Sequence, residues 1–318
     1  MSSRPSSFTL TSPGPLRLYS TVELLRLPPP TWLIETILPA GGLVGLYGPP
    51  GAFKSFVALD LAMSVATGRA WHGQAVIKGH AIYVAAEGGT GMGKRAQAWL
   101  LHHDIPASAV DMSWLIESVT VNPDSDQMDR LLTRVNDEMH TEPSLIVIDT
   151  LARCFEGDEN TQEDMGRFVA GVDRLRREFG ATVLVVHHTR LAADRERGNT
   201  AFRGAADTMI SIARHDDDVT ITNNKQKDAQ EFLERSLTVK PMLLADSIVL
   251  VEPDTSRDET IRRVLRAHEG LTYSELSDIV SHENISRSAL KRRLVGLRRN
   301  GEIAKENGKY RLVEGPPE

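Results

Sequence analysis

Cysteine is almost missing from this sequence: Cys154 stands alone in 318 residues. That excludes an internal disulfide and any scaffold stapled by several of them, so nothing here requires an oxidising compartment. Long apolar runs are missing as well. No stretch approaches the roughly 18 apolar residues of a membrane-spanning helix, and the opening Met-Ser-Ser-Arg-Pro-Ser-Ser has none of the apolar character of a signal peptide. Neither export by that route nor insertion in a bilayer is expected, and a cytoplasmic setting is the default. What is present, 41% hydrophobic and 25% charged residues, is the composition of a soluble globular chain long enough for two or three domains. Whole-chain disorder and a collagen-like repeat are excluded.

The net charge of −6 hides an asymmetry. Between Asn284 and Leu312 there are nine basic residues against two acidic ones, a local +7 that leaves −13 for the rest of the chain. An acidic body with a basic C-terminal segment points to a polyanion partner for that segment, the alternative being a solvated basic helix.

Residues 1–30 are rich in Ser and Pro and end in Pro28-Pro29-Pro30, a composition that favours an extended arm. From 31 to 252, short β-branched runs alternate with helical patterns. Leu43–Tyr47 precedes a helix from Lys54, His80–Ala86 a helix near Lys94–His102, and Leu145–Asp149 a helix near Glu163–Phe179, before a further run at Thr182–His187. Such alternation predicts an α/β domain with a mainly parallel sheet buried on both faces. The later runs Met209–Ala213, Val219–Asn223 and Ser236–Val239 predict hairpin-linked strands at one edge. After the break at Glu252-Pro253-Asp254, residues 253–318 predict a winged helix: helices over about 257–268, 273–281 and 286–299, then two short strands around Asn307-Gly308.

The chemistry begins at Gly48-Pro49-Pro50-Gly51-Ala52-Phe53-Lys54-Ser55, between a strand and a helix. Its pattern is that of G-x-x-x-x-G-K-[ST], a loop whose backbone N–H groups and helix N-terminus cradle a triphosphate. Lys54 would meet the β- and γ-phosphates and Ser55 would bind Mg²⁺. The expected nucleotide-contacting residues are Gly48, Pro49, Pro50, Gly51, Ala52, Phe53, Lys54, Ser55 and Phe56, with ATP and Mg²⁺ as cofactors. Phe53 stands where the second glycine belongs, which implies either a negative φ or local strain.

Asp149 ends an apolar strand and is expected to hold Mg²⁺ together with Ser55. Glu87 ends another, before Gly88-Gly89, and could activate the attacking water. His187 and His188 end a third. They are either satisfied strand-tip histidines or a γ-phosphate sensor coupled to the next loop, whose Arg190, Arg195, Arg197 and Arg203 are candidates for DNA phosphates. Asp216-Asp217-Asp218 reads as a hairpin turn and Thr161-x-x-Asp164 as a helix cap. Asp158-Glu159-Asn160 lies just beyond Asp149, near enough for an outer role at the metal.

This ordered set resembles the RecA-like P-loop ATPases, specifically the RepA-type hexameric helicases of phages and plasmids. Besides the phosphate loop, the resemblance rests on Gly68-x-x-Trp71-x-Gly73, Ala86-Glu87-Gly88, Asp149-Thr150-Leu151-Ala152-Arg153 and Gly157-Asp158-Glu159-Asn160. It continues through His187-His188, Arg203-Gly204-Ala205-Ala206-Asp207 and Lys225-Gln226-Lys227-Asp228, and spans about 31–240. It implies a RecA-like fold, a homo-oligomer in a hexameric ring, nucleotide between adjacent subunits, Glu87 as the catalytic carboxylate, and Lys225 and Lys227 reaching a neighbour's γ-phosphate. Lys227 replaces the arginine that relatives place there, and a point charge lacks the bidentate fork of a guanidinium.

On the C-terminal candidate recognition helix, Arg287, Lys291 and Arg292 are expected at DNA phosphates, while Leu290, Leu294 and Leu297 face the small core. The expected activity is that of an ATP-driven DNA motor, a replicative helicase of a phage or mobile element acting in a bacterial or phage-infected cytoplasm. The alternatives are a recombination or annealing accessory ATPase, and an ATP-dependent DNA-binding regulator.

Overall fold

The computed structural model of the protein describes residues 18–26, 31–87, 89–138, 141–188, 200–253, 255–283, 285–299 and 301–313. The chain divides into two compact units, Met1–Glu252 and Pro253–Glu318.

The first unit opens with α1 (Thr21–Leu24). There Ser20 and Glu23 close a capping box around one helical turn, so part of the stretch expected to be extended is helical. Then follow β1 (Trp32–Ile34), β2 (Leu38–Pro39), β3 (Leu43–Gly48), α2 (Lys54–Thr67), β4 (His80–Ala85), α3 (Gly89–His103), β5 (Met112–Leu115) and α4 (Asp126–Glu138). Next come β6 (Pro143–Asp149), α5 (Leu151–Cys154), α6 (Gln162–Phe179), β7 (Thr182–His188) and α7 (Thr200–Ala205). The unit closes with β8 (Thr208–His215), β9 (Asp218–Gln226), β10 (Arg235–Met242) and β11 (Ser247–Val251).

Nine of these strands form one sheet in the order β11-β10-β9-β8-β3-β7-β6-β4-β5. The six from β8 to β5 are parallel and the last three by sequence join antiparallel, so the class is α/β with a mainly parallel sheet and a hairpin-built edge. Asp216 and Asp217 make the β8–β9 turn, with Asp216 at φ 57.

Strand alternation sorts side chains between two cores. Ala81, Tyr83 and Ala85 of β4, Leu145 and Val147 of β6, and Leu184 and Val186 of β7 pack with α2. Ile82, Val84, Ile146, Ile148, Val183 and Val185 pack on the opposite face with α6. Asp149 and His188, two residues beyond Val147 and Val186, continue the α2 face. His187 continues the other.

A buried carboxylate ties the helices of that face together. Asp60 of α2 accepts the indole N–H of Trp99 in α3 at 2.7 Å and that of Trp71 at 2.8 Å, with Nε2 of His72 at 2.9 Å. The helix that follows the phosphate loop is thereby joined to the helix that follows Glu87.

The second unit contains α8 (Ser256–Arg266), β12 (Leu271–Thr272), α9 (Tyr273–Ser281), α10 (Arg287–Arg299), β13 (Ile303–Glu306) and β14 (Lys309–Leu312), with a three-stranded antiparallel sheet ordered β12-β14-β13. Leu276 and Val280 of α9 pack with Leu290, Leu294 and Leu297 of α10. Asn307 (φ 49) and Gly308 (φ 80) both take positive φ, the requirement of a two-residue type I′ hairpin.

Candidate active site

The residues singled out for nucleotide chemistry gather at the C-terminal ends of adjacent parallel strands, where open α/β sheets bind ligands. In register, Gly48 of β3 lies beside His188 of β7, Asp149 of β6 beside Val186, and Ala85 of β4 beside Asp149. Strand spacing of about 4.8 Å therefore brings residues distant in sequence to one rim.

The loop between β3 and α2 has the shape its sequence asks for. A Cβ at Gly48 would collide with the backbone carbonyl oxygen of Ile212, whereas Gly51 (φ 75) faces open space. Phe53 keeps the left-handed conformation of the glycine it replaces, at φ 65 and ψ 23. Of the two alternatives raised by this residue, the negative φ is the one that does not occur. The left-handed conformation costs about 1–2 kcal/mol. Two contacts of about 0.5–1 kcal/mol each oppose that cost: an edge-on packing against Phe56 at 5.5 Å and the Arg214 guanidinium 4.3 Å from the ring centroid. Phe53 is also the N-cap of α2 and offers no side-chain acceptor, so the first-turn N–H groups receive no side-chain cap from it.

Lys54 is almost fully buried. Its ammonium donates to the carbonyls of Gly48 and Pro49 and to Nδ1 of His188, each at 2.9 Å. Burial pulls it down to about 8, against the opposing attraction of Asp149 and Glu87, so it remains largely protonated at neutral pH. Nε2 of His188 lies 3.8 Å from the Glu87 carboxylate, which also accepts the Thr150 hydroxyl at 3.3 Å. Glu87 is half exposed. His187 is separate from this network: it is buried on the α6 face, with Nδ1 unpartnered, and burial lowers it to about 4, followed by the charges of His188 and Lys54. The two histidines therefore lie on opposite faces of β7.

Asp149 is 1% exposed. Its Oδ2 accepts the Tyr83 hydroxyl at 2.7 Å and its Oδ1 is buried with no partner. Burial pushes this carboxyl above the ordinary Asp value, opposed by Tyr83, Ser55 and the charge of Arg95. An orphaned carboxylate oxygen beside a serine that follows the phosphate-loop lysine fits a hydrated Mg²⁺, and the open glycine-lined loop at a helix N-terminus fits a triphosphate. Sequence reasoning missed Tyr83, Thr150 and Arg95, whose guanidinium lies 4.7 Å from the Phe56 ring centroid. Tyr83 had a signal, being the one polar side chain in Ala81–Ala85.

A family model for an AAA domain matches residues 18–194, more than half of the chain. The chain belongs to the AAA domain family. No curated protein matches it. Among solved structures it is similar to one described as the crystal structure of the RadB recombinase, at 14% identity, with 68% of this chain and 93% of that chain covered and a TM-score of 0.47. The site of this AAA domain is that of an ATPase.

The remaining expected residues lie elsewhere. Lys225 donates to three carbonyls of its own chain, Arg203 at 2.7 Å, Gly204 at 3.1 Å and Ala206 at 2.6 Å, and so caps the end of α7. Lys227 is exposed, 3.5 Å from Asp207, whose other oxygen accepts the backbone N–H of Leu43. Arg203 donates to the Asn224 carbonyl at 3.3 Å. Asp158 and Asn160 bond to one another, and the Asp158 backbone N–H donates to Asp164 in the turn before α6. Thr161 caps that helix. In the second unit Arg287 lies 3.6 Å from Asp278 and Lys291 is exposed, while Arg293 turns inward to Asp258 at 3.3 Å. Arg190, Arg195, Arg197 and the side chain of Arg292 lie outside the described residues. Among the described residues, no helix is long and apolar enough to cross a membrane.

Proposed function

We propose that the protein is an oligomeric, ATP-hydrolysing DNA motor with a RecA-like core, working as a RepA-type replicative helicase of a phage or mobile element. The observation that carries this reading is the distance between Lys227 and the phosphate loop. Lys227 sits at the level of Leu43, where its backbone N–H bonds to Asp207 and the Asp207 N–H to Leu43. Gly48 lies five residues further along β3, about 16 Å at 3.3 Å per residue. A lysine at the far end of the sheet cannot serve the loop of its own chain, but in a ring it faces the loop of the next copy. Lys225, spent on three carbonyls, supports that position rather than reaching across.

In this reading the loop N–H groups and Lys54 hold the triphosphate, and Ser55 and Asp149 hold Mg²⁺. When bound, Mg²⁺ neutralises charge on the phosphates. Glu87 accepts a proton from the water that attacks the γ-phosphoryl group, and His188 senses that group through Lys54. The C-terminal unit acts as a winged helix that meets duplex phosphates through Arg287, Lys291 and Arg292.

The test combines the ATPase rate with and without single-stranded DNA, the mass of the nucleotide-bound assembly, and strand displacement on a forked duplex. Stimulation, a ring mass and displacement are expected. Stimulation without displacement would favour the accessory ATPase, and sequence-specific duplex binding by residues 253–318 without stimulation would favour the regulator.

A further inference from the structure

Tyr83 is a fully buried hydroxyl in a strand whose other central side chains are apolar. Phenylalanine would fill the same volume, so packing does not explain the oxygen. Its short contact is the 2.7 Å bond to Oδ2 of Asp149, and a longer one, 3.4 Å, reaches the carbonyl of Ser55. One hydroxyl on β4 thus bonds the carboxylate assigned to the metal, on β6, and lies near the backbone carbonyl, not the hydroxyl, of Ser55 in the first turn of α2.

The Asp149 carboxylate is used unevenly. Oδ2 is taken by Tyr83 and Oδ1 is buried without a partner. A free carboxylate would turn about its last bond, and either oxygen could answer a ligand. With one oxygen held, the other is fixed in place, and leaving it bare inside the protein has a cost that a bound hydrogen-bond donor would remove. We infer that Tyr83 is a positioning residue for the Mg²⁺ site: it holds Oδ2 so that Oδ1 alone accepts from the metal's water. This rests on the reading of Asp149 as the metal-site carboxylate.

The test uses the full-length protein and the variants Tyr83→Phe and Asp149→Asn. Binding of a fluorescent ATP analogue is followed by anisotropy, first in EDTA and then across a Mg²⁺ titration. Tyr83→Phe is expected to bind nucleotide in EDTA within about twofold of the unaltered protein. Its Mg²⁺ midpoint should rise about tenfold, the lower end of the effect of losing a partner of a metal ligand, because Asp149 meets the metal through water. The rise in melting temperature that Mg²⁺ adds to nucleotide, referred to each variant's own baseline, should shrink in parallel, which keeps the test valid if the variant is less stable. A Mg²⁺ midpoint unchanged in Tyr83→Phe but shifted in Asp149→Asn overturns the inference alone. A midpoint unchanged in Asp149→Asn overturns the metal-site reading and the inference with it. In the double variant, Tyr83→Phe should add no further shift; an added shift of tenfold means that Tyr83 acts elsewhere.

Discussion

The ammonium of Lys54 and Nδ1 of His188 are 2.9 Å apart, and the opposite nitrogen of that imidazole faces Glu87. An ammonium only donates, so Nδ1 accepts and the ring proton of the neutral imidazole sits on Nε2, toward the carboxylate. A single side chain therefore joins the phosphate-loop lysine to the proposed base. His188→Ala should retain nucleotide binding but lose most of the DNA stimulation of hydrolysis, whereas Lys54→Ala should lose hydrolysis altogether. Steady-state rates at several DNA concentrations distinguish them, and undiminished stimulation in His188→Ala would remove it from the coupling route.

Glu87→Gln keeps shape and removes the acceptor charge. Turnover should fall by about 10²- to 10⁴-fold, with ATP affinity and assembly intact. Mixing this variant with Lys227→Ala should restore part of the activity if each site draws Glu87 from one chain and Lys227 from the next. Mixed assemblies with no recovery at any ratio would argue for a site complete within one chain.

Acid should destabilise the first unit for a reason visible at two histidines. Burial lowers both His103 and His187 to about 4; for His103 the charges of Arg69 and His102 add to it, and for His187 those of His188 and Lys54. Between the unfolded value near 6.5 and the folded value near 4, the unfolded chain binds more protons, so stability is full above pH 6.5 and is lost as pH falls through that window. Melting temperature from pH 7.5 to 4.5 should drop more steeply in the unaltered protein than in a His103→Gln, His187→Gln double variant. Equal slopes would mean that neither ring is held neutral by the fold.

Removing residues 253–318 should weaken duplex binding and flatten its salt dependence by about 0.9 log units per lost phosphate contact. ATP hydrolysis and its single-strand stimulation should survive. Arg195→Ala with Arg197→Ala should do the reverse. Anisotropy over a salt series on both DNA forms decides between them, and loss of single-strand binding on truncation alone would make the C-terminal unit the main DNA site.

The parallel strands were legible because burial on both faces writes them as unbroken apolar runs, as in Leu145–Asp149. The edge strand β5, Met112-Ser113-Trp114-Leu115, has a strand neighbour on one side only and its residues are half-buried or exposed, so it carries no such run. Helix α3 begins at Gly89, earlier than its sequence suggests, because Gly89, Gly91 and Gly93 depress intrinsic propensity where packing prevails. Helix α4 did carry a pattern, Met128, Leu132 and Val135, though only three of its thirteen residues are buried. Of the candidate site, Lys54, Asp149 and Glu87 could be read from residue type and strand position. What Lys225 touches could not, since its three carbonyl partners come from a turn some twenty residues earlier in the chain.

That lysine has a mechanical consequence. Residues 189–199 are joined at one end to His188, in contact with Lys54, and at the other to α7, whose last carbonyls are clamped by Lys225. Lys225 belongs to β9, so the end of α7 is bolted to the antiparallel edge of the sheet by three hydrogen bonds from one ammonium. Through β8, which starts at Thr208 and pairs with β9, the helix end and the hairpin form one stiff corner, and α7 cannot swing away without breaking those bonds.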